Sequence, residues 1–315
     1  MNQLKVTRPK PKSLDWTTSI AAGWDPNSGD VPTYSFGKLT TELMEHRAAF
    51  EALIELVSTS ADSFLLDPIK NVEEPDFFPE VLEPIDEQLV VINPEQAQET
   101  GLHPFAALWQ SGWANSDPYI AVRRQVFENL FQVAAKLRSF DPKMYLCITD
   151  GWRSIDQQRD LYNAFYPNGH VQGKPLYVSE PHDDDRYAAP HPSGGAVDVL
   201  IGYEDNVISI GSDLDYMDVQ ANTDHFESDE SNSLVRDMRR LFSNLLSEFG
   251  FVSIDSEWWH VEYGTRRWAG KTGNEALYGN VILDKSIYEG IKPVAAVEGS
   301  KRLYLQAISG LENNA

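Results

Sequence analysis

Two short, chemically loaded stretches must meet if this chain folds to any purpose. The first is His191-Pro-Ser-Gly-Gly-Ala-Val-Asp198 and the second is Glu257-Trp-Trp-His260. Between them they carry two imidazoles and a carboxylate that suit a divalent metal such as zinc, with a second carboxylate left over to act as a base. Three protein ligands leave a fourth position open, which separates a catalytic zinc site from a closed structural one. A fold that serves this pattern has to bring distant segments to a common point.

The local pattern around each stretch is mixed. Ala196–Ile201 reads as a strand, on which Ala196 and Asp198 share a face. Gly194-Gly195 permits a close backbone approach, and His191 then comes from the preceding loop. Phe251–Ile254 and Trp258–Tyr263 also read as strands. On an ideal strand residues three apart face opposite sides. Glu257 can therefore join His260 only if the chain bends at the strand entry. Taken singly, a His and an Asp seven apart are ordinary polar residues, and Glu-Trp-Trp-His is equally a strand with core tryptophans.

Elsewhere periodicity predicts helices over 36–57, 118–139, 155–165 and 233–249, the last with Leu234, Met238, Leu241, Leu245 and Phe249 in register and Gly250 as its stop. Leu89–Ile92 and Met144–Thr149 read as strands. The segment from Asn71 to Glu87, broken by Pro75, Pro79 and Pro84, reads as an extended wrap, and Lys301–Ile308 as an added helix. Without a steady strand–helix–strand repeat, the expected class is α+β. The expected organisation is an extension over 1–110, a main domain over 111–280 and a helical tail over 281–315.

Charge narrows the partners. Lys and Arg number 26 against 48 Asp and Glu, a net charge of −22. That balance argues against nucleic acid and against an anionic membrane surface, both of which recruit basic stripes. The one cysteine, Cys147, lies in an apolar run and reads as a buried structural thiol. With no disulfide possible within the chain, no apolar leader behind the basic N-terminus and no span-length apolar run, a cytoplasmic protein is expected.

The ordered motifs carry a resemblance. His191-x-x-Gly194-x-Ala196-x-Asp198 followed by Glu257-Trp-Trp-His260 resembles the zinc site of the D-alanyl-D-alanine dipeptidase family, the vancomycin-resistance type of metallopeptidase. Asp150-Gly-Trp-Arg153 looks like that family's Asp-Gly-Tyr-Arg segment, and Gly211-Ser-Asp-Leu-Asp215-Tyr-Met-Asp218 like its Gly-Ser/Thr-x-Phe-Asp segment. The similarity covers about residues 118–265. It implies a mostly antiparallel sheet flanked by helices and one zinc ion per chain, held by His191, Asp198 and His260. It further implies Glu257 as general base and proton donor, and Arg153 as the stabiliser of charge on the carbonyl oxygen. Asp215, with Asp150, would meet the substrate's ammonium group.

The implied activity is hydrolysis of D-alanyl-D-alanine or a similar small dipeptide of cell-wall chemistry. The competing readings are a D,D- or L,D-carboxypeptidase trimming peptidoglycan stem peptides, and a non-catalytic binding protein that keeps its metal for stability. Two positions depart from the family pattern. Ala188-Ala-Pro-His191 lacks the Ser that relatives carry before the first His, so no anchor for a substrate carboxylate is implied there, and Ser154 stands where proline is usual. The remaining histidines, His46, His103, His170, His182 and His225, read as surface or packing residues. His182, beside Asp183–Asp185, is the one position where a second metal is worth seeking.

Overall fold

The structure is a computed structural model that describes residues 41–110, 116–170, 172, 176–215 and 219–294. The lead-in over 1–35, the start of the first expected helix and the expected helix Lys301–Ile308 lie outside the described residues.

In chain order the strands are β1 Thr41–Glu42, β2 Leu89–Val91, β3 Leu102–Pro104, β4 Ala121–Arg123, β5 Met144–Asp150, β6 Ala196–Tyr203, β7 Asn206–Ser209, β8 Val252–Ser253 and β9 His260–Glu262. The helices are α1 Arg47–Ser58, α2 Ala97–Thr100, α3 Ala107–Gln110, α4 Arg124–Phe140, α5 Ile155–Phe165, α6 Pro190–Ser193, α7 Ser233–Glu248 and α8 Arg266–Thr272. This is an α+β fold. Its principal sheet runs β1-β7-β6-β5-β3, with β9 also on β6 and β8 on β9. The sheet is mixed, because β1/β7 and β3/β5 are parallel while the β5/β6, β6/β7, β6/β9 and β8/β9 junctions are antiparallel.

β6 organises the molecule. Its first half pairs with β9 and its second half with β7, while β5 covers its other edge. Every residue of β5 and β6 is buried, which explains their near-continuous apolar runs. Helices α4 and α7 lay the stripes Val126, Leu130, Val133, Leu137 and Met238, Leu241, Leu245 into one core with these strands. Phe50, Leu53 and Val57 of α1 join that core. The Cys147 thiol is fully buried there, and burial pushes its pKa up, so it is a packing residue.

Several expectations need correction. The helix expected over 118–139 starts only at Arg124. Ala121–Arg123 is instead strand β4, paired antiparallel with β2. Val122 fits the helical stripe by spacing, but it is claimed by a partner strand some thirty residues upstream. The first expected helix likewise begins at Arg47, after β1 and a 3₁₀ turn over Leu43–His46. Helix α5 occupies 155–165 as expected, opened by the Ser154 hydroxyl accepting from the Gln157 N–H at 3.1 Å.

The segment over 71–87 forms no helix or strand. It is nevertheless stapled to the rest of the protein. Lys271 Nζ donates to the carbonyls of Asn71 and Val72, Arg266 donates to those of Phe78 and Pro79, and buried Arg123 donates to that of Glu87. Such a loop-like run holds its course because its carbonyls find fixed donors.

Candidate metal centre

Sheet register creates the site. Asp198 of β6 lies directly opposite His260 of β9 and, on its other edge, opposite Asp150 of β5. A register irregularity between Ile148 and Asp150 sets this last pairing. One cross-strand row therefore holds three of the residues singled out by sequence.

His191 arrives from α6, a single helical turn rather than the loop expected. Pro190 occupies its first position, where a missing N–H costs nothing, and Gly194 ends it at φ 74°. Gly195 follows because a β-carbon there would come within 2.5 Å of the Tyr263 carbonyl oxygen. The pair of glycines thus turns the chain sharply and presses it against the segment following β9.

His191, Asp198 and His260 are buried, and their ligating atoms all lie within 4.8 Å of one another. They are the single such group among the described residues, and His182 is in none. His191 Nδ1 donates to the Gly151 carbonyl at 2.7 Å, which turns its Nε2 toward Asp198 Oδ1 at 3.7 Å. His260 Nδ1 stands 2.9 Å from the same Oδ1. Tetrahedral zinc with bonds of about 2.0–2.2 Å spaces its ligand atoms about 3.3 Å apart. The observed separations bracket that value, so the donor set fits such an ion.

Sequence reasoning missed the residue that completes this arrangement. Glu262 is fully buried and accepts from His260 Nε2 at 3.1 Å. It also accepts from Thr265 Oγ1 and pairs with Arg267. Thr265 in turn caps α8 by accepting from the Trp268 N–H. Arg267 reaches on to Glu74 of the wrap at 2.8 Å. A carboxylate behind a ligating imidazole fixes the tautomer and ring orientation. The available signal was the spacing, since residues two apart on a strand share a face.

Electrostatics follow from burial and these partners. Burial alone would lower His260, but its hydrogen bonds to Asp198 and Glu262 override it and raise the pKa to about 10. Burial and the Arg153 charge lower His191 to about 3, leaving it neutral. Burial would raise Asp198, yet His191, His260 and Arg153 hold it at about 2.

Glu257 sits where the sequence geometry demanded, in the turn before β9. Its carbonyl accepts from the His260 N–H at 3.2 Å. Its carboxylate Oε2 stands 4.0 Å from His260 Nδ1. Burial, with the Asp198 charge, raises Glu257 to about 7 against the pull of His260, Arg267 and Arg153. Trp258 anchors this turn through its Nε1–H to Ser212 Oγ at 2.9 Å.

Arg153 lines the same cleft. It donates through Nε to Asp150 at 2.8 Å and through Nη1 to Gln158 at 3.2 Å, and its Nη2 lies 3.7 Å from Asp198 Oδ2. Burial opposes its charge, but Asp150 and Asp198 hold its pKa above the usual value. Asp150 is thus occupied with Arg153 and with the Gly151 N–H, and it is not among the residues lining the cleft. Asp215 does line it, at φ 56°. Burial, then the charges of Asp198 and Glu257, raise the Asp215 pKa well above its ordinary value. Its segment is clamped by buried Arg239 of α7, which donates to the carbonyls of Ile210, Asn222 and Gln220. The rest of the expected motif, Tyr216–Asp218, lies outside the described residues.

A family model described as D-ala-D-ala dipeptidase matches residues 120–275. This part of the chain belongs to the D-Ala-D-Ala dipeptidase family. The match spans β5, β6, β9 and the positions of His191, Asp198, His260, Glu257, Arg153 and Asp215. The protein is accordingly a metallopeptidase, of a metal-dependent family whose activity is on D-Ala-containing peptides. No curated protein matches the sequence. Among the described residues no helix is long and apolar enough to cross a membrane.

Proposed function

We propose that this dipeptidase-family protein is a zinc enzyme that hydrolyses free dipeptides of D-configured residues, with D-alanyl-D-alanine as the parent structure. The observation that carries the reading is Glu257, a buried carboxylate beside the His191–Asp198–His260 cluster and facing the same cleft as Arg153 and Asp215. Asp215 supports a demand for a free amino terminus, because an acidic group opposite an ammonium favours the short, unblocked peptide.

When bound, zinc supplies Lewis-acid polarisation and lowers the pKa of water to roughly 7. His191 would hold it through Nε2, Asp198 through its carboxylate and His260 through Nδ1. The remaining work belongs to this chain's own groups. Glu257, raised to about 7, takes a proton from the attacking water and passes it to the leaving amine, a contribution of about 10²–10⁴ in rate. Arg153 is kept charged by Asp150 and Asp198 and offers N–H donors to the developing oxyanion. Gln158 and Asp150 hold that guanidinium in place.

The test is hydrolysis of alanyl-alanine in all four D/L combinations, free and N-acetylated, with metal-stripped and zinc-loaded protein. The proposal expects zinc-dependent cleavage of the free D,D form and loss of at least 100-fold in the Glu257→Ala protein with its zinc retained. Faster cleavage of the N-acetylated substrate would favour the carboxypeptidase reading. Undiminished cleavage by Glu257→Ala would remove the mechanism.

A further inference from the structure

The cleft is far larger than an alanyl-alanine dipeptide requires. It encloses about 710 Å³. That lies within the roughly 300–1,000 Å³ of pockets that take drug-sized molecules. A dipeptide of about eleven non-hydrogen atoms fills on the order of 200 Å³ at interior packing density.

The surplus space has a chemical character. Asp215, Glu257, Arg267 and Glu74 line part of the wall, together with Phe78, Val219, Ile254 and Trp259. A second group of lining residues is apolar and adjoins Gln158, which bonds Arg153. Helix α5 presents Leu161 and Phe165 on the face that begins with Gln158. The segment over 176–179 adds Leu176 and Val178, and α3 adds Leu108. Gln158 joins the two regions, since it accepts from Arg153 and donates through Nε2 to the Ser179 carbonyl at 2.8 Å. Leu176, one of the lining residues, is 46 % exposed overall, and a substrate side chain packed against it would cover apolar surface.

We infer that this apolar lane is a specificity subsite, and that the preferred substrate is a free dipeptide carrying one bulky apolar side chain of leucine or phenylalanine size. The inference rests on the proposed dipeptidase reading and names its substrate class. The ammonium end lies with the acidic groups, the scissile carbonyl beside Arg153, and the large side chain in the lane bounded by Leu161, Phe165, Leu176 and Val178. Burying such a side chain there favours the bulky substrate by roughly 10- to 100-fold over alanine at the same position.

The experiment compares D-Ala-D-Ala, D-Ala-D-Phe and D-Phe-D-Ala as substrates of the zinc-loaded enzyme by kcat/KM. Their binding to the Glu257→Ala protein is measured by calorimetry. One phenylalanyl dipeptide is expected to lead by at least tenfold in both measurements, and Leu176→Asp is expected to cut that preference by fivefold or more. Equal or better handling of D-Ala-D-Ala, or a preference untouched by Leu176→Asp, overturns the subsite. If no dipeptide is cleaved but a phenylalanyl one still binds preferentially, the lane stands and the hydrolytic reading falls. If none binds, the lane falls with it.

Discussion

Glu262 offers the sharpest perturbation of the metal centre, because it touches no metal itself. It is 0 % exposed and serves His260 Nε2, Thr265 Oγ1 and Arg267 at once. Glu262→Gln keeps the shape but removes the charge and turns a donor toward one of three donors. Breaking a buried ion pair from one side costs about 3–5 kcal/mol. Loss of the carboxylate behind a ligating imidazole weakens metal binding about 10- to 100-fold. That corresponds to about 1.4–2.7 kcal/mol. The two effects separate in a paired variant. Glu262→Met with Arg267→Met removes both charges, so much of the stability returns, while His260 Nε2 still lacks its acceptor and zinc affinity stays weak. Zinc affinity is read by competition with a chromophoric chelator, and stability by denaturant unfolding of the metal-free protein. Zinc binding within twofold of wild type in both variants would refute the role assigned to Glu262.

Three further outcomes follow from named contacts. Arg239→Met removes three hydrogen bonds to the carbonyls of Ile210, Asn222 and Gln220; it should cost several kcal/mol in urea unfolding and raise KM through the loosened Asp215 segment, whereas an unchanged midpoint would contradict the clamp. Zinc affinity should rise with pH between 6 and 8, since His260, which Asp198 and Glu262 keep protonated, must give up a proton to bind the ion; calorimetry in buffers of different ionisation enthalpy detects proton release, and none released would contradict it. His103, lowered to about 4 by burial and by Arg138, stays neutral in the fold while the unfolded chain protonates near 6.5. Its contribution is therefore present above pH 6.5 and lost as pH falls toward 4, by about 2–3 kcal/mol; His103→Phe should flatten that limb of the stability profile, and an unchanged slope would refute it.

What sequence could disclose was local or chemically rare. Helix α5, the stripe of α7 and the strand over Met144–Thr149 follow from periodicity within a single segment. Histidines and carboxylates in a fixed order pointed to His191, Asp198 and His260, which the structure brings together, and the strand rule foretold the bend that brings Glu257 beside His260. Features set by non-local pairing stayed hidden. β4 continues the α4 pattern in spacing, and only β2 makes it a strand. Asp150 looked like a substrate contact by motif, but its row position beside Asp198 gives it to Arg153. Arg239 sits on a helix whose polar residues normally face water, and only the carbonyls of the 210–222 segment explain its burial. Nothing in the wrap's composition announced that Glu74 would close a chain of contacts through Arg267 and Glu262 to His260.

Zinc-edge anomalous diffraction from crystals soaked in the ion tests the account most directly. A single strong peak is predicted about 2.0–2.2 Å from His191 Nε2, a carboxylate oxygen of Asp198 and His260 Nδ1, with Glu257 beside it but unbound. No peak there, a peak coordinated by other side chains, or ligation through His260 Nε2 would contradict it.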